Sequence, residues 1–280
     1  MKYIKNIIIT ATIIFAFIGI TFTGVFFAMN FNLLNVKGSI DSRNESILPA
    51  EVETSFSDTS CLDETANCLW SETREWNVIK GGLEKDRLII EKVSAETGVS
   101  SRLIAAVVVP EQLRFFTAER EVFKRYFEPL KILGSLSKFS LGVSGIKQET
   151  AKKIEEYAQN PNSQFYPGES YSALIQYDPG VNQDDELFNR LTNEKDHYFS
   201  YLYTAIFIKE ILSQWERAGY DISDNPEIVS TIFNIGFSKS IPGPSPKVGG
   251  TVITVGGSGY TFGELSGLFY ESNQLVGIEW

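Results

Sequence analysis

The pattern of apolar and polar positions divides the chain into stretches of different character. From Ile7 to Met29 no residue is charged and most are apolar, a run long enough to cross a bilayer, for which about 20 residues suffice. Lys2 and Lys5 precede it, so residues 1–6 are expected to stay in the cytoplasm and residues 7–29 to form an uncleaved transmembrane signal anchor. A cleaved signal peptide, with secretion of the remainder, is the alternative; its apolar core is usually shorter, and no small-x-small cleavage site follows the run. Residues 30–75 are rich in Ser, Thr, Asp and Glu without a sustained apolar period, and read as an extracytoplasmic stalk.

From Trp76 onward helical periods dominate. Leu83, Leu88, Ile89 and Val93 mark one face of a helix that Gly98 should close. Ser100 is placed to cap the next helix, SRLIAAVVVPEQLRFF, which is apolar nearly all round and so predicts a buried central element. Pro110 lacks an amide hydrogen and is expected to kink or end that helix just before Glu111. Tyr198, Tyr201, Ala205, Ile208, Leu212 and Trp215 recur at three and four spacing and predict a further helix with Gly219 beyond its end. Asn225, Pro226 and Glu227 supply an N-cap, an N1 proline and a first-turn acid, opening a helix that Gly236 should close. Residues 159–196 are polar and read as irregular, as segments bordering a site often are. TVITV, GGSG and YTF over 251–262 predict a β-hairpin. Residues 76–280 are thus expected to form one mainly α domain with a small C-terminal β element.

Composition narrows the chemistry. The chain has 280 residues, a formal net charge of -10, one His and two Cys. That acidity, with no basic run, argues against nucleic acid, whose binding rests on clustered Lys and Arg. Soft ligands are too few for a conventional zinc site, HExxH and paired CxxC motifs are missing, and neither metal nor cofactor is expected. Cys61 and Cys68 flank a short polar loop, and outside the cytoplasm a disulfide between them is the expected state. There is no G-x-S-x-G elbow and no Walker loop. Any His-dependent nucleophile would need His197, which stands at a helix start where a surface or capping role is expected.

Carboxylates remain. Glu111 follows AAVVV directly, so its carboxyl should be partly desolvated. Desolvation raises a carboxyl pKa toward the range a general acid needs near neutral pH. Downstream come FSLGVSGIKQETA, with Ser140, Gly142, Gly145, Ile146, Thr150 and Ala151, and then Phe233, Asn234 and Gly236 in FNIG. A Glu closing a buried helix, a loop S-x-G-x-x-Q-I-x-x-x-T-A and a later Y-N-x-G form the pattern of the lysozyme-like lytic transglycosylases and goose-type lysozymes. Residues 84–240 resemble that family. Two positions depart from it: the Gln of the loop is Gly145, and the Tyr is Phe233.

The resemblance implies an α+β lysozyme-like fold and cleavage of the β-1,4 bond between N-acetylmuramic acid and N-acetylglucosamine in peptidoglycan. Glu111 would be the acid/base. Gln112, Ser140, Gly142, Ser144, Gly145, Ile146, Phe233, Asn234 and Tyr260 would bind the glycan strand. A two-carboxylate muramidase using Glu119 or Glu121, and a non-catalytic wall-binding scaffold, stay open beside it.

Overall fold

The computed structural model describes residues 69–117, 140–193 and 195–275. The 7–29 run, most of the stalk, Cys61 and Cys68, and Glu119 and Glu121 lie outside the described residues. Among the described residues no helix is long and apolar enough to cross a membrane.

The described chain is mostly helical. A single 3-10 turn, Trp70–Glu72, leads into α1 (Arg74–Lys85), α2 (Arg87–Thr97) and α3 (Ser101–Thr117). The pair β1 (Ser140–Leu141) and β2 (Ile146–Lys147) follows, then α4 (Gln148–Gln159), α5 (Glu169–Leu174), α6 (Gln183–Thr192), α7 (Tyr198–Arg217) and α8 (Pro226–Ile235). The last elements are the hairpin β3 (Val252–Val255) and β4 (Ser258–Thr261) and helix α9 (Phe262–Glu271). Both strand pairs are antiparallel, with Leu141 opposite Ile146 and Ile253 opposite Tyr260.

Helix α3 is the centre. Helices α1, α2, α7, α8 and α9 and strand β3 all pack on it, which is why its sequence has no polar face. The helix does not end at Pro110 but runs through it, so Glu111 sits inside the helix rather than at its end. The missing amide costs about 3 kcal/mol. Val107, Val109 and Leu113 are nonetheless fully enclosed, and burying each such side chain returns about 1.5–3 kcal/mol, so packing overrides the proline.

The expected helix around 83–97 is instead two helices that meet at Asp86. Asp86 is buried because its Oδ2 takes the Tyr201 hydroxyl at 2.9 Å and lies 2.5 Å from His197 Nδ1. The break resets the helical phase: Ile90, Val93 and Thr97 face inward, and Leu88 is 74% exposed. Gly98, at φ 68, closes α2 as expected, and Ser100 Oγ accepts from the Leu103 amide at 3.2 Å. The helical body also reaches upstream of Trp76, because Trp70 is buried edge-on to Trp76, with ring centroids 5.0 Å apart.

Helix α7 is buried on nearly every side rather than along one stripe, since α2, α3, α4, α6 and α8 surround it. Gly219 and Gly236, both at φ 86, stand where helix stops were expected. Residues 159–196 hold two short helices, α5 and α6, between irregular stretches. Asn182 caps α6 by accepting from the Asp184 amide at 3.0 Å, and Arg190 lies between the rings of Tyr177 and Phe199 while donating to the carbonyls of Ile175 and Gln176.

Helix α9 is absent from the sequence expectation. Its capping box is Thr261 with Glu264, each side chain bonded to the other's backbone amide. Gly263 lets it lie close on α8, since a Cβ there would come within 2.6 Å of the Glu227 carbonyl. Arg102 secures its far end, donating to the carbonyls of Phe269, Tyr270, Ser272 and Gln274 at 2.6–3.0 Å. These include final carbonyls of a helix, which have no partner within it.

Candidate active site

The site forms where the middle of α3 meets the turn between β1 and β2. That turn is Gly142-Val143-Ser144-Gly145, with the Gly145 amide bonded to the Gly142 carbonyl at 3.4 Å. Gly142 and Gly145 have φ 63 and 62, a left-handed conformation that glycine adopts without strain. Gly142 also needs its missing side chain: a Cβ would come within 2.5 Å of Ser200 Oγ and collide with the Leu191 carbonyl.

Three side chains hold the turn in place. The Gln112 amide donates to the Val143 carbonyl, tying the turn to α3. Ser144 is buried and its Oγ donates to the Ser200 carbonyl at 3.1 Å, with Ser200 Oγ 3.3 Å away. This ties the turn to the first turn of α7. Ile146, in β2, is 3% exposed and joins the core.

Glu111 is 3% exposed and its carboxyl rests on Gly145. A Cβ at residue 145 would lie 2.5 Å from Glu111 Cδ and 2.7 Å from Cγ, and would overlap Oε1. The carboxyl therefore occupies the space in which any side chain at 145 would begin. Gly145 is what admits the acid to the backbone of the turn. One turn along α3, the Arg114 guanidinium forms an ion pair with Glu111 Oε1. The Glu111 side chain is 4% exposed and the Arg114 side chain 18%.

Glu111, Gln112, Gly142, Ser144, Gly145 and Ile146 are thus brought together, with Ser140 at the start of the same strand pair. Phe233 and Asn234 belong to α8 and Tyr260 to β4. Phe233 is 8% exposed and packs on Phe207, ring centroids 4.8 Å apart. Asn234 Oδ1 accepts from Thr251 N at 2.9 Å and Thr251 Oγ1 at 3.1 Å, fastening the start of the hairpin to the end of α8. Tyr260 is half-buried on β4. Helix α8 and strand β3 both pack on α3.

Sequence reasoning passed over Arg114, Ser200 and Glu210. The i,i+3 spacing from Glu111 to Arg114 is a readable signal; Ser200 has none, because its role is set by a segment distant in sequence. Glu210, in α7, is fully buried, and neither carboxyl oxygen has a hydrogen-bond partner among the described residues. Burial raises its pKa well above the ordinary carboxylate value. His197 is at the N-cap position of α7, but its side chain reaches sideways to Asp86 rather than capping the helix. Among the described residues no group of His, Cys, Asp and Glu is arranged to hold a metal ion.

No family model, curated protein or solved structure matches the chain.

Proposed function

We propose that the chain is a peptidoglycan-cleaving enzyme of the lytic transglycosylase kind, with Glu111 as its single acid/base. The contact between Glu111 and Gly145 carries the reading. An acid in an apolar helix and a glycine turn far downstream, two of the three parts of the resembled pattern, lie against each other, with Gln112 and Ser144 fixing the turn.

In the proposed reaction Glu111 gives its proton to the glycosidic oxygen, the bond from that oxygen to C1 of the muramic residue breaks, and the alcohol leaves. The carboxylate then takes the proton of the muramic O6 hydroxyl, and O6 closes on C1. The product is a 1,6-anhydro end, and Glu111 regains its proton. The glycan strand is the partner. The run at residues 7–29 would hold the domain outside the cytoplasmic membrane, or, if cleaved, release it.

The test is digestion of purified cell-wall sacculi by the full chain beside Glu111→Gln, which keeps shape but cannot move the proton. Cleavage should fall by about 10²- to 10⁴-fold or more, in line with general acid/base contributions. Mass spectrometry should find the wild-type fragments one water lighter than hydrolysed ones. Reducing ends alone would make the enzyme a muramidase. Wall binding without cleavage by either protein would make it a scaffold, and undiminished cleavage by Glu111→Gln would remove the assignment.

A further inference from the structure

Asp86 and His197 take no part in the proposed chemistry, yet they meet at the start of α7, the helix on which the glycine turn rests. His197 Nδ1 lies 2.5 Å from Asp86 Oδ2, and the Tyr201 hydroxyl donates to the same oxygen at 2.9 Å. Positions 197 and 201 are one helical turn apart and lie on one face, so a single carboxylate oxygen fixes the start of α7 at two points along its axis. We propose that Asp86 and His197 are positioning residues for the candidate site: they pin the first turn of α7, and through Ser200 that turn holds Gly142–Gly145 against Glu111. The inference rests on the assignment of Glu111 as the acid.

Ser200 is the third residue of α7 and meets the glycine turn twice. Its carbonyl accepts from Ser144 Oγ at 3.1 Å and from Thr204 Oγ1 at 2.8 Å. Its own Oγ fills the space beside Gly142, where a Cβ would come within 2.5 Å of it. Contacts this close pass a displacement of Ser200 on to the turn. Displacement is easiest in the first turn of a helix, whose amides lack partners within it and whose end frays. The chain just upstream offers little support: residues 193, 195 and 196 are exposed, and Asp196 accepts from the Tyr198 amide at 3.0 Å.

The other ties at this turn are of a different kind. Tyr198 donates to Glu96 at an exposed position, where water competes for the bond. Arg190 lies 4.4 Å from the centre of the Phe199 ring, a contact with a ring face rather than a directed bond. Asp86 and Tyr201 are buried, and a hydrogen bond shielded from water is the stronger. Facing a carboxylate, His197 Nδ1 donates in the neutral tautomer that carries its proton there and in the charged form alike. Burial and the neighbouring Asp86 push the Tyr201 hydroxyl up, so it stays a donor. The pin therefore needs no change of protonation to act.

The experiment compares the full chain with His197→Ala, His197→Asn, Ser144→Ala and the double variant of His197→Ala with Ser144→Ala. Arg102→Ala, at the far end of α9, controls for lost stability. All are assayed below their melting temperatures for kcat and KM on purified glycan strands, and for amide exchange of residues 140–147 by mass spectrometry. His197→Ala should lower kcat by about tenfold to 10²-fold, the cost of a misplacement approaching 1 Å. KM should change little, and exchange in 140–147 should quicken. His197→Asn should recover most of both, because its amide nitrogen takes the place of Nδ1 and donates to Asp86. Arg102→Ala should alter neither. In the double variant kcat should fall no further than in the more damaged single variant, since both changes cut one link. Losses that multiply would overturn the inference, and so would unchanged exchange in folded His197→Ala. If that variant does not fold, Tyr201→Phe removes the other donor while keeping the ring, and the same two results decide. Faster exchange in His197→Ala, with no glycan cleaved even by the wild type, keeps the link from Asp86 to the turn and removes the enzymatic reading.

Discussion

Replacing Gly145 by alanine adds one methyl group at the point where the candidate acid meets the turn. Two costs follow. Residue 145 has φ 62, and an L side chain in the left-handed region costs about 1–2 kcal/mol. The new Cβ would also stand 2.5 Å from Glu111 Cδ, where carbon atoms in contact prefer about 3.5–4.0 Å, so the carboxyl must retreat by about 1 Å. A misplacement of that size costs about 10²-fold in a positioned reaction. Gly98 provides the control: it has nearly the same backbone, φ 68, but a Cβ there would meet nothing within 4 Å. Gly98→Ala and Gly145→Ala should therefore share the backbone loss, seen as a melting temperature lower by about 2–4 °C per kcal/mol. Only Gly145→Ala should lose glycan cleavage, measured as release of soluble fragments from sacculi at a temperature where both variants are folded. Equal cleavage by the two variants would refute the placement of Glu111 against the turn.

Glu210 predicts an unusual dependence of stability on pH. Its folded-state pKa is raised by burial, so the stabilisation it retains as a neutral group is complete below the unfolded value of about 4.3 and is lost as pH rises through the folded value. Denaturant midpoints from pH 4 upward should fall for the wild type and fall less for Glu210→Gln, and parallel curves would show that the carboxyl is not held neutral. Arg102→Ala strips donors from four carbonyls at the end of α9. It should cost about 2–3 kcal/mol, the size of a lost charged hydrogen bond with partial rescue by water, and speed amide exchange after Phe269. A loss under about 0.5 kcal/mol, ordinary for a surface change, would show the fork to be dispensable.

Local rules made much of the molecule legible. Capping residues and glycines placed the helix starts at Ser100 and Asn225 and the stops at Gly98, Gly219 and Gly236, because backbone conformation there depends on a few neighbouring residues. The alternation of Val252–Val255 and the Gly256-Gly257 pair, at φ 56 and 78, specified the hairpin in the same way. The all-apolar character of 103–109 announced a helix enclosed on every side. The capping box at Thr261 and Glu264 was equally readable and would have located α9.

Tertiary structure decided what depends on partners distant in the chain. Pro110 stays inside α3 because the elements packed around that helix return more than the lost hydrogen bond, and no local propensity contains that sum. Asp86 breaks the long helix because His197 and Tyr201 receive its carboxylate, which turns Leu88 outward. The candidate site is of the same kind. Sequence singled out Glu111 and Gly145 separately, but that the carboxyl fills the space of the missing side chain follows only from the seating of the turn by Gln112 and Ser200. Close packing admits one occupant to that volume, and the folded neighbours determine which.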